Sequence, residues 1–232
     1  MSQIIAGKYF IDILFEDNHL LVIDKPAGLL SQEDHTGEPD VLTVCKKYIK
    51  ETYDKPGNVW LGLVHRLDRP VSGVMALAKT SKAASRISEQ IRKRTLIKIY
   101  HAVVSGKTPA SAVWTDHLIK NSSSNISRVT KPGGDAKESS LSFSTLAYHK
   151  ESDYSLVEVD LKTGRAHQIR VQFSSRNHPI AGDQKYGATS QKRMDIALRA
   201  AEMRLEHPTL KTQISFKAPL PDFKPWSYFH EQ

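Results

Sequence analysis

Between Ile11 and Asp24 two apolar stretches, Ile-Asp-Ile-Leu-Phe and Leu-Leu-Val-Ile, flank the turn-forming Glu-Asp-Asn-His, and Lys25-Pro26-Ala27-Gly28 closes the segment. Apolar runs this short, bounded by turn residues, predict a β-hairpin. Strand character returns at Val74–Ala78, Leu96–Val104, Leu141–Tyr148 and Tyr154–Leu161. Helical spacing is rarer. After a capping Asp40, the residues Val41, Leu42, Val44, Cys45, Tyr48 and Ile49 recur at helical intervals up to Glu51. After Thr80 or Ser81, a second helix places Ala83, Ala84, Ile87 and Ile91 on one face and bases on the other. His167–Ser175 reads as one short helix, and Asp195–Leu205 and Thr212–Phe216 as closing elements. The polar, Ser- and Gly-rich stretch Asn121–Ser140 has no period and predicts a mobile surface loop. Strands that outnumber helices, without βαβα alternation, imply an α+β fold on a mainly antiparallel sheet.

A chain of 232 residues can bury one good-sized core. It has no apolar run of about 18 residues and no basic-then-apolar leader, which reads as cytoplasmic. With Cys45 as its single cysteine, it can form no internal disulfide and no Cys-based metal cluster. The histidines are scattered, without a convincing metal-ligand spacing. Charge says more. The net formal charge is +8, a balance that favours a polyanionic partner. From Lys79 to Tyr100 the bases Lys79, Lys82, Arg86, Arg92, Lys93, Arg94 and Lys98 face one acid, Glu89. Such clustering beside a polar motif suits nucleic acid better than a merely solvated face.

Three polar clusters could carry chemistry. His65-Arg66-Leu67-Asp68-Arg69-Pro70-Val71-Ser72-Gly73 lies between apolar segments, where a loop held by strands can position a carboxylate. Its bland reading is an Asp68 ion pair with Arg66 or Arg69 on a surface turn. Thr163-Gly164-Arg165-Ala166-His167-Gln168-Ile169-Arg170 follows a strand and offers a guanidinium that can hold a carboxylate ionised or grip it bidentately. Asn177–Gly187 is rich in turn residues, and the favoured reading is a structural turn with Asp183 as a cap.

Taken together these residues resemble the RluA-type pseudouridine synthases. His65-Arg66-Leu67-Asp68 with Ser72-Gly73 is similar to that family's signature loop. The segment Ile13 to Gly28, Lys98-Ile99-Tyr100, Gly164 to Arg170, His178 to Gly187 and Ala218-Pro219-Leu220-Pro221 follow in the family's order, from about Ile11 to Pro221. The surface-turn reading of Asp68 gives way to this ordered agreement. The resemblance implies one catalytic domain over residues 1–232, with a mixed, mainly antiparallel sheet bent around a central RNA-binding cleft. It also implies conversion of selected uridines in structured ribosomal RNA or tRNA to pseudouridine.

By the same resemblance Asp68 is the catalytic carboxylate, Arg170 its partner, and Tyr100 the ring that stacks on uracil and helps remove the C5 proton. Arg66 fills the hole left by a flipped base. Further RNA contacts are expected from His65 and Arg69, from Lys82, Arg86, Arg92 and Lys93 on the basic helix, and from Arg165, His167 and Gln168. The polar segment from Asn121 to Lys137 is expected to track phosphate. No metal, organic cofactor or protein partner is implied, and a monomer is expected. Many relatives carry an N-terminal S4-type domain, but about ten residues precede the first matched strand here, so none is expected. The sequence Leu198-Arg199-Ala200 departs from the Leu-His-Ala of many relatives and puts one local contact in question. The competing readings are a non-catalytic RNA-binding or RNA-chaperone protein of the same fold, and a hydrolase built on His65, Asp68 and His167.

Overall fold

The computed structural model describes residues 2–187 and 194–230. In chain order the elements begin with β1 (Gln3–Ala6), β2 (Tyr9–Glu16), β3 (Leu20–Lys25), α1 (Val41–Thr52), β4 (Gly62–Leu63), β5 (Ser72–Ala78) and α2 (Ser81–Lys93). There follow β6 (Ile97–Ser105), β7 (Ser111–Asn121), β8 (Ile126–Thr130), β9 (Lys137–His149), β10 (Tyr154–Leu161), α3 (Gln168–Ser174), β11 (Leu198–Glu206) and β12 (Gln213–Lys217). The class is α+β on mainly antiparallel strands, as the sequence implied. Two compact units divide the chain: residues 1–96 with 200–218, and residues 97–199 with 219–232.

In the first unit the strands run β1-β2-β3-β5-β11, with β12 on β11 and β4 on β5. The expected hairpin is there: β2 and β3 pair antiparallel, Asp12 opposite Asp24 and Glu16 opposite Leu21. Both helix starts read from sequence also hold. Asp40 Oδ1 accepts the Thr43 N–H at 3.1 Å, and Thr80 Oγ1 accepts the Ala83 N–H at 3.1 Å. Each cap satisfies an amide that its own helix leaves unpaired, an effect of about 1 kcal/mol. Alternate residues of β3 and β5 (Leu20, Val22, Val74, Ala76, Ala78) pack with Ala83 and Ile87 of α2 and with Met203, Leu205 and Phe216 of β11 and β12. The intervening Leu21, Ile23, Met75 and Leu77 are buried too. Both faces of these strands are therefore covered, which explains why they read as continuous apolar runs.

In the second unit the order is β6-β10-β9-β7-β8, antiparallel at each step. The short helix α3 is buried from Gln168 to Phe173. Phe173 docks it against Trp114 of β7 at 4.7 Å and Phe143 of β9 at 5.1 Å between ring centroids. Arg176 lies over the Trp114 ring at 4.4 Å while pairing with Asp116.

The stretch read as a mobile loop is mostly a hairpin. β7 and β8 pair antiparallel from His117–Thr130 to Asn121–Ile126. Asn121 Oδ1 closes the turn by accepting the N–H groups of Ser123 at 3.0 Å and Ser124 at 3.1 Å. β8 is an edge strand that leaves Ile126, Arg128 and Val129 exposed. Backbone hydrogen bonds hold it, with little apolar burial to imprint a period on its sequence.

Candidate active site

In the first unit Asp68 sits, half-buried, on the loop between β4 and β5. Hydrogen bonds strap this loop to the end of β3 and the segment that follows it. Ser31 Oγ donates to the Leu67 carbonyl at 2.8 Å and accepts the Leu67 N–H at 3.2 Å. The Gly28 N–H donates to the Arg69 carbonyl at 2.9 Å, and Arg69 Nε returns to the Gly28 carbonyl at 3.0 Å. Lys25 Nζ donates to the carbonyls of Pro26, Leu29 and Arg69 at 3.0, 2.7 and 3.1 Å. Asp68 turns the chain through its own carbonyl, which accepts the Val71 N–H at 2.9 Å. At the loop's end Gly73 has φ +115°, and a Cβ there would stand 2.2 Å from the Ala200 carbonyl oxygen, so no other residue fits.

Lys25 is the unusual charge. It is fully buried, and burial drags its ammonium down to about 7, with Asp68 and Asp24 opposing the fall and Arg69 adding to it. Three carbonyl acceptors match the three N–H donors of the charged form. The lysine thereby knots the loop that carries Asp68 to the segment that follows β3.

The other expected site residues in this unit divide into scaffold and surface. His65 is scaffold: its Nε2 accepts the Ala76 N–H at 2.9 Å, anchoring the loop's start to β5. Arg69 pairs with Glu38. Arg66 points into solvent. On α2, Lys82, Arg92 and Lys93 are exposed, with Lys93 bonded to Glu89 at 2.8 Å. Arg86 instead donates to the Pro208 carbonyl at 2.6 Å, tying the helix to the turn between β11 and β12.

In the second unit Tyr100 lies buried on β6, opposite Val159 of β10. Lys98, two residues before it, shares its face of the strand. Burial lowers the Lys98 ammonium below the usual lysine range, and its Nζ lies 3.3 Å from where a Cβ on Gly164 would be. In the sequence Lys98 is both one base of the cluster before Tyr100 and the first residue of the Lys98-Ile99-Tyr100 motif.

The Thr163–Arg170 segment is built around Gln168. This buried amide accepts from Thr163 Oγ1 at 2.7 Å and from the Arg165 N–H at 3.0 Å, and donates to the Ser140 carbonyl at 3.1 Å. Its hydrogen bonds are thus committed within the protein. Arg165 is exposed, with Nε on the Glu138 carbonyl at 3.0 Å. His167 takes the left-handed conformation at φ +56°, and its Nδ1 meets the Tyr186 hydroxyl at 2.7 Å.

Arg170 is buried and bonded twice to Asp183, Nε to Oδ2 and Nη2 to Oδ1, each at 2.7 Å. This corrects the reading of Asp183 as a cap. The turn Gln184–Tyr186 that it precedes receives no side-chain bond from it. Across the guanidinium lies the Tyr186 ring, 5.1 Å away. Burial raises the Tyr186 phenol above its ordinary range, opposed by the Ser127 N–H and by Arg170.

These residues occur in a chain whose relatives agree. The sequence profile of the RNA pseudouridylate synthase family matches residues 19–175. The RNA pseudouridine synthase YhcT of Bacillus subtilis (strain 168) is 35% identical over 95% of this chain and 72% of its own length. The ribosomal large subunit pseudouridine synthase D of Yersinia pestis is 33% identical over 91% of this chain and 68% of its own. Among solved structures, human RNA pseudouridylate synthase domain containing 4 superposes with a TM-score of 0.76 at 25% identity, covering 93% of this chain and 90% of that one. The chain therefore belongs to the RNA pseudouridylate synthase family.

Proposed function

We propose that this protein isomerises uridines of structured ribosomal RNA, with Asp68 as its catalytic carboxylate. The observation that carries the reading is the strapped Asp68 loop: a half-buried acid on a turn over-determined by Lys25, Gly28 and Ser31. Pre-organised charge of this kind is what cleavage of a glycosidic bond needs. Breaking N1–C1′ develops positive charge on the ribose, which a fixed carboxylate stabilises or traps. The base then turns, C5 joins C1′, C5 gives up its proton and N1 takes one, so the atoms balance as an isomerisation.

In this reading Tyr100 stacks on the uracil and assists departure of the C5 proton, and Arg170 is the cation that serves the carboxylate. A paired uridine must leave its helix first, at a cost of a few kcal/mol, and Arg66, exposed on the same loop as Asp68, takes the vacated place. Lys82 and Arg92 of α2 meet phosphate, as do Arg128 and Lys131 of the β7–β8 hairpin and its exit. His65 and Gln168, expected at the RNA surface, serve as scaffold. Ribosomal RNA is the substrate class favoured by the relatives' names.

Tritium release from RNA labelled at C5 of uridine, taken from cells lacking this gene, tests the reading. Wild type should release tritium and Asp68→Asn should not. Absence of release from both, with RNA binding intact, would leave an RNA-binding protein of the same fold.

A further inference from the structure

Trp60, in the first unit, is 50% exposed, yet its indole is bedded. A Cβ on Gly62 of β4 would lie 2.6 Å from Cη2 and 3.2 Å from Cζ3 of that indole, and 3.2 Å from the Ala84 Cβ on α2. Gly62 lies in a strand and outside the left-handed region, so its backbone would accept any residue. The glycine is needed because the six-membered ring occupies the place of a side chain. Glycine within a strand weakens it, and often marks such a close approach. A single exposed apolar side chain says little by itself. One whose ring is packed onto a glycine made for it, with half its surface still open, says more.

The helix beside it suits a polyanion. Ser81 and Ser88, three residues before Ala84 and four after, are its neighbours on the surface of α2, and both are small and exposed. The same row continues to the exposed Arg92, about 12 Å from Ala84 along the axis. Glu89, the one acid of α2, is tied to Lys93 at 2.8 Å. An open aromatic ring beside free bases is the combination that single-stranded nucleic acid takes, the ring meeting a base and the cations its backbone. Ala78, opposite Gly62 on β5, is six residues from Ser72, where β5 leaves the Asp68 loop, a span of about 20 Å. The ring therefore serves a nucleotide other than the reacting uridine.

Resting on the reading that this chain acts on RNA, we infer that Trp60 is a stacking platform for an unpaired base of the substrate RNA, with Arg92 on the adjoining backbone. Every base has a face to stack, so the platform adds affinity without choosing a sequence.

The test compares wild type, Trp60→Phe, Trp60→Leu and Trp60→Ala in binding to a short mixed-sequence RNA without self-pairing, and to its blunt duplex with the complementary strand. Trp60→Ala should bind the single strand about 10-fold more weakly and Trp60→Leu nearly as weakly, whereas Trp60→Phe should stay within about 3-fold. The slope of log affinity against log salt should not move, because an indole neutralises no phosphate. All four proteins should bind the duplex alike, since its stacked bases offer no free face. Tryptophan emission of the wild type should fall on binding the single strand, and Trp60→Phe should abolish that fall.

Wild-type affinity for the single strand in Trp60→Ala and Trp60→Leu would overturn the inference. An equal loss on the duplex, or a shifted salt slope, would also overturn it and make Trp60 a prop that holds the bases of α2 in place. Self-association lost in Trp60→Leu, with RNA affinity intact, would give the ring to a second copy instead. Should Trp60→Ala fail to fold, Trp60→Leu, which keeps an apolar cover over Gly62, decides alone. A wild type that failed to bind even the C5-labelled total RNA would sink the reading of function itself. Binding by the wild type that its Trp60 variants match would sink only the platform.

Discussion

Ser31 and Leu67 hold each other through one hydroxyl, which donates to the Leu67 carbonyl at 2.8 Å and accepts the Leu67 N–H at 3.2 Å. Both residues are buried, and Leu67 immediately precedes Asp68. Ser31→Ala would leave a buried N–H and a buried carbonyl without this partner, a loss of about 2 kcal/mol or somewhat more. Chemical denaturation should show that loss with an unchanged m-value. The rate of tritium release should fall further than RNA affinity does, because the loop that presents Asp68 loosens. Wild-type stability would mean that the loop is held by its other straps alone.

The buried Lys25 makes stability depend on pH in a direction that can be fixed beforehand. Burial is the first cause of its descent from 10.5 to about 7. In the unfolded chain the ammonium keeps its proton up to the ordinary lysine value. Between the two values the unfolded state therefore binds more protons, and stability rises with pH. Below about 7 both states are charged and the full cost of burial is present. Relative to Lys25→Met, the wild type should gain up to about 1.4 kcal/mol per pH unit on going from about pH 7 to about pH 9. Guanidinium unfolding of both proteins across that window measures it. A difference that stays flat with pH would show the three carbonyls keeping the ammonium charged throughout.

What could be read in the sequence depended on whether the cause of a structure was local. The caps Asp40 and Thr80 act on amides three residues ahead, so the letters beside them carry the signal. The hairpin of β2 and β3 is equally local. β8 escaped notice because an edge strand is held by backbone bonds to β7 and buries little. Asp183 was misread because its partner sits thirteen residues away on α3, and nothing in a Gly-Asp turn announces a tertiary ion pair. His65 and Gln168 each bond to distant backbone, His65 to the Ala76 N–H and Gln168 to the Ser140 carbonyl, and nothing in their neighbouring letters announces those ties.

The same distinction sharpens what α2 should do. Its bases cluster in sequence, yet Arg86 is turned to the Pro208 carbonyl, whereas Lys82 and Arg92 project into solvent. Each phosphate neutralised contributes about 0.7 to 0.9 to the slope of log affinity against log salt. Lys82→Ala with Arg92→Ala should flatten that slope by about 1.4 to 1.8 and weaken binding alike across RNA sequences. Arg86→Ala should leave the slope alone and lower stability by about 1 kcal/mol through the lost tie to Pro208. Filter binding across a salt series, paired with thermal unfolding, separates the two effects. An unchanged slope for the double variant would place this face of α2 away from RNA. A slope change for Arg86→Ala equal to that of either other base would mean that its bond to Pro208 yields to phosphate when RNA binds.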